Sequence, residues 1–239
     1  MKKRILVLSL ILCLALTLVP AAASAANGIT EFPQVVTAFM KTKFECGCSA
    51  TGTGGMIAAN GLITAGHNLV CAEHNKPARS IDFYFGSVSS SDYWYKYSGK
   101  FTTFVFCDFS NGFTTENDIG IVKFPYKIAK NVGGWYGSQT RSTSEYEGVR
   151  GFTCFYDASG KGLVHQGDMS AYDNTRIFLD HKPLGAGADG APVYFMRGAA
   201  RNPALIGVYS AGKDGKCVIC NITYDVFSKM MDELVFELD

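Results

Sequence analysis

Short strand-like segments separated by turn residues recur along the chain and limit it to an all-β fold. The segments are rich in β-branched and aromatic residues, with Gly, Asn, Asp and Ser between them. The 26 glycines suit such a turn-dense protein. Short strands at even spacing favour a sandwich or a barrel, and composition does not choose between the two. The predicted strands are Gly55–Ala58, Leu62–Thr64, Ile81–Phe85, Phe101–Phe106 and Ile119–Phe124 in the first half, and Val149–Tyr156, Gly162–Gly167, Arg176–Leu179, Pro192–Met196 and Leu205–Ser210 in the second.

Two stretches depart from this pattern. Between Tyr224 and Leu238, apolar residues recur at intervals of three and four, which predicts a C-terminal helix. The stretch Asn131–Glu147 is rich in Gly, Ser and Thr and is interpreted as a linker. The sequence therefore predicts two β domains, residues 26–132 and residues 133–239, with the helix in the second.

The N-terminus has the three parts of a secretory signal peptide. A basic start is followed by the apolar run Ile5–Val19 and by the small residues Ala23-Ser24-Ala25, which predicts cleavage after about Ala25. A membrane anchor is the alternative, but the run is shorter than the ~20 residues that a spanning helix needs. We therefore expect residues 1–25 to be removed and the mature chain to be secreted, with no membrane association.

The net charge argues against a nucleic-acid partner. The formal charge is +1, which provides no long-range attraction to a polyanion. We expect the mature chain to be a monomer whose partner is a peptide or a protein.

Seven cysteines follow the predicted cleavage point, and export permits disulfides. Their odd number leaves at least one thiol unpaired within the chain. A bridge from Cys46 or Cys48 to Cys71 would staple the loop that carries His67.

Cys217 and Cys220 form a C-x-x-C pair. A redox role for such a pair requires a helix N-terminus, whereas these flanks are predicted to be strand. A zinc site would need two more ligands nearby, and none is evident. Structural disulfide pairing is the favoured interpretation, and we expect no metal or other cofactor.

Three segments together suggest chemistry. They are Thr64-Ala65-Gly66-His67 at the end of a strand, Asn117-Asp118-Ile119-Gly120-Ile121, and Gly187-Ala188-Asp189-Gly190-Ala191-Pro192-Val193. Each alone is weak, because a strand-end histidine, a turn-capping aspartate and a Gly-rich turn are all common. In this order and spacing they are specific.

The three segments resemble the histidine, aspartate and serine motifs of trypsin-like serine proteases. The third matches Gly-x-Ser-Gly-x-Pro-Val at every fixed position except the serine, which is Asp189 here. Bacterial glutamyl endopeptidase-like members are the most similar in texture. Gly151-Phe152-Thr153 resembles their Gly-Tyr-Pro segment, and Ile206-Gly207-Val208-Tyr209 resembles their Ile-Gly-x-His segment.

The resemblance implies two six-stranded antiparallel Greek-key barrels of the chymotrypsin type, with the site in the cleft between them. It places His67 and Asp118 in the first barrel and Asp189 in the second. The backbone amides of Gly187 and Asp189 would form the oxyanion hole. Tyr209 and Ser210 would line the substrate groove. Because Tyr209 replaces a histidine that reads acidic side chains in these enzymes, acidic specificity is not expected.

Asp189 removes the nucleophilic step that the resemblance implies. A carboxylate is already ionised at neutral pH and attacks amides poorly. It would pair with His67, raise the pKa of the imidazole and keep it cationic, and its charge would oppose an oxyanion. Loss of a triad serine typically costs about six orders of magnitude in turnover. We therefore expect a pseudoprotease that keeps a peptide-binding cleft.

Two alternatives remain open at this point. The first is an active serine-type endopeptidase that uses His67 and Asp118 with an atypical nucleophile. Ser170 only faintly resembles a nucleophile motif and falls where an interior strand is expected. The second is a carbohydrate-binding β protein, suggested by the aromatic run Tyr93–Tyr97, for which packing is the simpler explanation.

Overall fold

The computed structural model describes residues 28–89, 91–198 and 202–237. The predicted signal peptide, residues 1–25, lies outside this part of the chain. Within the described residues, no helix is both long enough and apolar enough to cross a bilayer.

The first half forms an eight-stranded antiparallel sheet rolled around an apolar core. The strands follow the order β4-β5-β1-β2-β3-β8-β7, and β6 pairs with β5. A short 3₁₀ helix, Gln34–Val36, precedes the first strand. The strands are β1 (Thr37–Phe44), β2 (Ser49–Ala58), β3 (Gly61–Thr64), β4 (Val70–Cys71), β5 (Lys76–Phe85), β6 (Tyr95–Tyr97), β7 (Thr102–Val105) and β8 (Gly120–Lys123).

The second half closes into a barrel of six antiparallel strands. Its ring runs β13-β10-β11-β12-β15-β14 and returns to β13, while the two-residue β9 adds to β14 in parallel. Closure leaves few unpaired strand edges, which stabilises small β domains. The strands are β9 (Gly137–Ser138), β10 (Arg150–Tyr156), β11 (Gly162–Ala171), β12 (Arg176–Leu179), β13 (Pro192–Arg197), β14 (Asn202–Lys213) and β15 (Lys216–Asn221).

The prediction of an all-β fold with two barrels and a C-terminal helix is confirmed, although the first sheet has eight strands where six were expected. The predicted linker overlaps the end of the one-turn helix α1 (Ala129–Val132) and contains β9 and a 3₁₀ helix, Thr143–Tyr146. The boundary between residues 132 and 133 stays a prediction, although it falls between the last strand of the first sheet and the first strand of the second.

The C-terminal helix α2 (Tyr224–Glu233) follows the last strand of the second barrel and reaches the first barrel, where Glu233 pairs with Lys123. The Thr223 side chain caps its N-terminus by accepting from the Val226 amide. The chain then ties back to the first barrel, because the Val235 amide donates to Asn60 Oδ1 over 2.8 Å. Three residues at helical spacing, Val226, Met230 and Leu234, join the core of the first barrel.

The aromatic run Tyr93–Tyr97 is mainly a packing cluster. The Tyr97 ring lies edge-on to Phe124, with the ring centroids 5.0 Å apart, and Tyr93 packs on Tyr84. The run therefore supports the sheet, as packing predicts, and gives little support to the carbohydrate-binding alternative.

The structure does not contain the disulfides that we predicted: all seven described cysteines are free thiols. Cys217 and Cys220 are both buried in β15 but have separate environments. The Cys217 thiol contacts the carbonyl oxygens of His181 and Lys182, whereas the Cys220 thiol donates to the Thr115 carbonyl.

Close contacts between backbones hold the two barrels together and require glycine. A Cβ on Gly55 of β2 would lie 2.9 Å from Pro192 of β13. Gly190, just before β13, has φ +86°, and a Cβ there would lie 2.1 Å from Thr64 Oγ1 and 2.3 Å from the Thr53 carbonyl oxygen. A side chain is thus excluded at these two positions where the barrels meet.

We expect Gly190→Ala to lower the free energy of unfolding by at least about 3 kcal/mol, because it adds left-handed backbone strain to a clash with backbone atoms. Urea unfolding followed by fluorescence measures the change. Gly215→Ala (φ +74°, open space) isolates the strain, and Gly185→Ala, with open space and no positive φ, is the neutral control. Equal losses in all three variants would contradict the interpretation.

Candidate active site

His67 lies in the 3₁₀ helix Gly66–Asn68, directly after β3. Its backbone amide donates to Asp118 Oδ1 over 2.9 Å, and its Nδ1 lies 2.7 Å from Asp118 Oδ2. The same carboxylate thus holds both the main chain and the ring of His67. Asp118 occupies Nδ1 through this contact. The other ring nitrogen, Nε2, is therefore the one that faces the cleft.

Asp118 precedes β8 and is completely buried. Besides the two contacts with His67, its Oδ2 accepts a hydrogen bond from Ser210 Oγ over 2.6 Å. Ser210 belongs to β14, so this bond joins the two barrels at the site. The two donors of His67 and the Ser210 hydroxyl thus converge on one buried carboxylate.

Asp189 lies in the loop before β13 and brings a second carboxylate to the imidazole. Its Oδ2 is 3.7 Å from His67 Nε2, and its side chain is 36% exposed. Its carbonyl oxygen accepts from the Thr53 amide over 2.8 Å and from Asn68 Nδ2 over 2.7 Å. The structure therefore brings His67, Asp118 and Asp189 together, with the imidazole between the two acids.

The two carboxylates strongly favour the protonated imidazole. Burial of the ring opposes its protonation, but the hydrogen bonds and charges of Asp118 and Asp189 outweigh burial and raise the pKa of His67 to about 10. The direction is the one expected from the sequence. At neutral pH His67 is a cation and has no free lone pair to act as a base.

The loop before Asp189 contains a left-handed glycine at the predicted oxyanion hole, which itself stays a prediction. Gly187 has φ +93°, and a Cβ there would lie 2.7 Å from the Asp157 carbonyl carbon. Its carbonyl oxygen accepts from Thr53 Oγ1 over 2.7 Å. In the described part of the chain, neither the Gly187 amide nor the Asp189 amide donates to a protein acceptor. Both amides are therefore free to bind an external oxygen.

Other predicted residues lie as follows. Tyr209 is buried in β14, where desolvation raises its pKa and its hydroxyl donates to the Leu184 carbonyl oxygen over 3.3 Å. Ser170 is inside β11, paired with Phe178 of β12, and has no described contact with His67. Ser170 is thus not brought to the site.

Sequence reasoning missed the loop between β7 and β8. The Phe113 ring lies edge-on to His67, with centroids 5.3 Å apart, and its side chain is 52% exposed. The loop is anchored to the second barrel, because Thr115 Oγ1 accepts from Arg176 Nη1 over 2.7 Å. The sequence feature that could have indicated this loop is its pair of phenylalanines, Phe109 and Phe113, among polar residues.

Two thiols flank Asp118 but are inert. Burial and the negative charge of Asp118 raise the pKa of Cys107 to about 12. Burial and the same carboxylate also raise the pKa of Cys220, whose thiol donates to Thr115. Neither is a thiolate at neutral pH, so neither is an activated nucleophile.

No protein-family model matches the sequence, and no curated protein matches it. Many solved structures do match its fold. A thermostable serine protease, AL20, from an extremophilic microorganism has 12% identity and a TM-score of 0.68, over 82% of this chain and 94% of the other. A Glu endopeptidase in complex with MPD has 16% identity and a TM-score of 0.68, over 85% and 92%.

The protease Anisep from Arthrobacter nicotinovorans has 15% identity and a TM-score of 0.66, over 84% of this chain and 95% of the other. At such identities the likeness defines the fold alone. The chain therefore has the two-barrel fold of chymotrypsin-like serine proteases.

We expect Asp189→Asn to lower the pKa of His67 from about 10 toward its ordinary value, since it removes one of two negative charges at the ring. NMR titration of the imidazole measures this shift. Asp168→Asn is the matched control, because Asp168 is an exposed carboxylate paired with Arg150.

The raised pKa of His67 also determines in which direction the stability of the fold changes with pH. Because the folded pKa lies above the ordinary 6.5, the imidazolium contributes its full stabilisation below about pH 6.5 and loses it as the pH rises through about 10. The stability gap between wild type and His67→Gln should shrink over that range, and a gap that grows would contradict the assignment.

Proposed function

We propose that the protein is an exported, monomeric pseudoprotease that binds an extended segment of a peptide or protein between its two barrels without cutting it. The observation that carries the proposal is the Asp189 carboxylate, which lies 3.7 Å from His67 Nε2. In an active serine protease, this position would hold the serine hydroxyl that gives its proton to the histidine.

The site geometry favours a cation at His67 over a general base. Peptide hydrolysis by a serine requires a neutral imidazole that accepts the hydroxyl proton. Here that nitrogen faces a carboxylate, which has no proton to give at neutral pH. The negative charge also lies next to the amides of Gly187 and Asp189, where it opposes the oxyanion that hydrolysis would form.

The other hydroxyl and thiol groups near His67 do not replace the missing serine. The Ser210 hydroxyl is buried and donates a hydrogen bond to Asp118 Oδ2 over 2.6 Å. Cys107 and Cys220 are protonated at neutral pH for the reasons given above. These contacts weigh against an active endopeptidase with an atypical nucleophile.

Strand addition along β14 is the binding mode that we propose. The backbone hydrogen bonds on the β13 side of β14 end at Tyr209, which exchanges bonds with Gly190 and Ala191, whereas β14 continues to Lys213 with β15 on one side only among the described strands. An extended peptide gains main-chain hydrogen bonds on such an edge. Phe113, exposed beside His67, offers an apolar contact for one of its side chains. The solved structures with this fold are named as proteases, which act on peptide chains, and this supports the class of ligand.

We expect the purified wild-type chain to show no turnover of casein or of fluorogenic peptides. Asp189→Ser should raise turnover by at least about a thousandfold, because it supplies the hydroxyl and releases His67 to act as a base. Turnover of the double variant Asp189→Ser/His67→Ala should return to the wild-type level.

Wild-type turnover that disappears in His67→Ala would overturn the proposal, and labelling of a wild-type serine by a fluorophosphonate would favour the active-enzyme alternative. An inactive Asp189→Ser variant would leave the pseudoprotease standing and would mean that other parts of the machinery are also lost. N-terminal sequencing of the exported protein tests the predicted cleavage after about Ala25.

We expect Phe113→Ala to weaken peptide binding by about tenfold, the typical effect of removing an exposed aromatic contact. The probe is a fluorescein-labelled peptide selected on the wild-type chain from a random library, and the measurement is fluorescence polarisation. Tyr126→Ala is the control, since Tyr126 is an exposed aromatic residue beyond the other end of β8. Equal affinities of both variants would argue against binding beside His67.

A further inference from the structure

Four potential metal ligands converge at one edge of the first barrel, away from the acids around His67. They are the thiols of Cys46, Cys48 and Cys71 and the imidazole of His74. One ligand atom from each residue lies within 4.8 Å of all the others. His74 Nδ1 is 3.6 Å from Cys48 Sγ and 3.5 Å from Cys71 Sγ.

We propose that these four residues, the Cys46–His74 cluster, form a structural Zn²⁺ site with three thiolate ligands and one imidazole ligand. Three cysteines and one histidine are a common ligand set for structural zinc, and a closed set of four protein ligands leaves no position for a substrate. Soft thiolates also select zinc over the hard cations magnesium and calcium.

The distances match a tetrahedral site. With zinc–sulfur bonds of about 2.3 Å and zinc–nitrogen bonds of about 2.0 Å, a sulfur and a nitrogen at two corners lie about 3.5 Å apart. The measured sulfur–nitrogen separations are 3.6 Å and 3.5 Å. An ion therefore fits with only small side-chain movements.

The backbone holds the ligands in two turns that are fixed independently. Cys46 and Cys48 lie in the turn from β1 to β2, which the Phe44 amide closes by donating to the Cys48 carbonyl oxygen over 2.9 Å. Cys71 and His74 lie in the turn from β4 to β5, where the Asn75 amide donates to the Cys71 carbonyl oxygen over 2.7 Å. Because both turns are already formed and face each other, binding an ion costs less conformational entropy of the ligands.

The turns also touch through the main chain. The Glu45 amide donates to the Pro77 carbonyl oxygen over 3.0 Å. The ligand pattern is therefore C-x-C from the first turn and C-x-x-H from the second, a short spacing within each pair that is typical of structural zinc sites. His74 is half-exposed and Cys71 is buried, so the ion would enter from the solvent side.

A disulfide is the competing use of these thiols, and it explains less of the arrangement. A bridge between two cysteines would leave the third thiol and the imidazole without a purpose at the same point. An iron–sulfur cluster would ordinarily require a fourth cysteine in place of His74. Zinc uses all four groups and releases the thiol protons on binding.

The ion would brace the loop of the candidate active site. Cys71 is four residues after His67, and β4 begins two residues after the 3₁₀ helix that carries the imidazole. Zinc would tie this segment to the β1–β2 turn, so we expect its removal to loosen the first barrel. The zinc site does not depend on the proposed function.

The test is metal analysis of the whole exported chain, purified with zinc present and without chelator. We expect about one zinc per wild-type chain and less than about a tenth in Cys46→Ser, Cys71→Ser and His74→Ala. Cobalt substitution should give the intense visible bands of a tetrahedral ion and a thiolate-to-cobalt charge-transfer band. Chelation should lower the melting temperature of the wild type but not that of His74→Ala.

The controls separate ligand loss from misfolding. Cys217→Ser and His181→Ala change the same residue types outside the cluster and should keep one zinc per chain. His74→Cys should keep the metal and shift the cobalt spectrum toward four thiolates. Failure of the reduced wild-type chain to bind zinc, or a Cys48–Cys71 disulfide found by mass spectrometry in protein made with zinc, would overturn the proposal. Neither result would bear on the peptidase assays.

Discussion

The buried hydroxyl of Thr53 fixes the position of the second barrel's central loop relative to the first barrel. It accepts a hydrogen bond from the Tyr156 amide and donates to the Gly187 carbonyl oxygen, while the Thr53 amide donates to the Asp189 carbonyl oxygen. Thr53 and Tyr156 are completely buried, so separating the barrels would leave buried polar groups unpaired. His67 belongs to the first barrel and Asp189 to the second. These hydrogen bonds between the barrels therefore also set the distance from Asp189 to His67.

A geometry that would orient a base in a serine protease stabilises a cation here. Asp118 holds His67 Nδ1 from inside the first barrel, and Asp189 stands against Nε2 from the second. With both ring nitrogens facing carboxylates, the favoured state of the ring is the imidazolium. The Asp189 carboxylate therefore stabilises the protonated imidazole, while the amides of Gly187 and Asp189 donate to no other described residue.

Local patterns were enough to predict an all-β chain, whereas the two-barrel fold and the convergence of His67, Asp118 and Asp189 were predicted only through the resemblance of the three motifs to a protease family. Local patterns were not enough for β1, whose residues are buried almost without alternation, so the period of two is missing. Phe113 was missed because its contact with His67 depends on how a long loop folds back. The Cys46–His74 cluster was missed because its ligands come from two turns, and only the register of β1 against β5 brings those turns together. The sequence expectation of no metal did not consider this cluster.

A braced loop at His67 is useful for binding as well as for catalysis. A cleft that only binds must still present its polar and apolar contacts in a fixed arrangement, since ordering them on binding reduces affinity. Two such restraints act on this segment, one from each barrel. Asn68, next to His67, donates to the Asp189 carbonyl oxygen on one side, and its own carbonyl oxygen accepts from Thr42 of β1 on the other. A zinc ion at Cys71 would add a third restraint on the loop that carries His67.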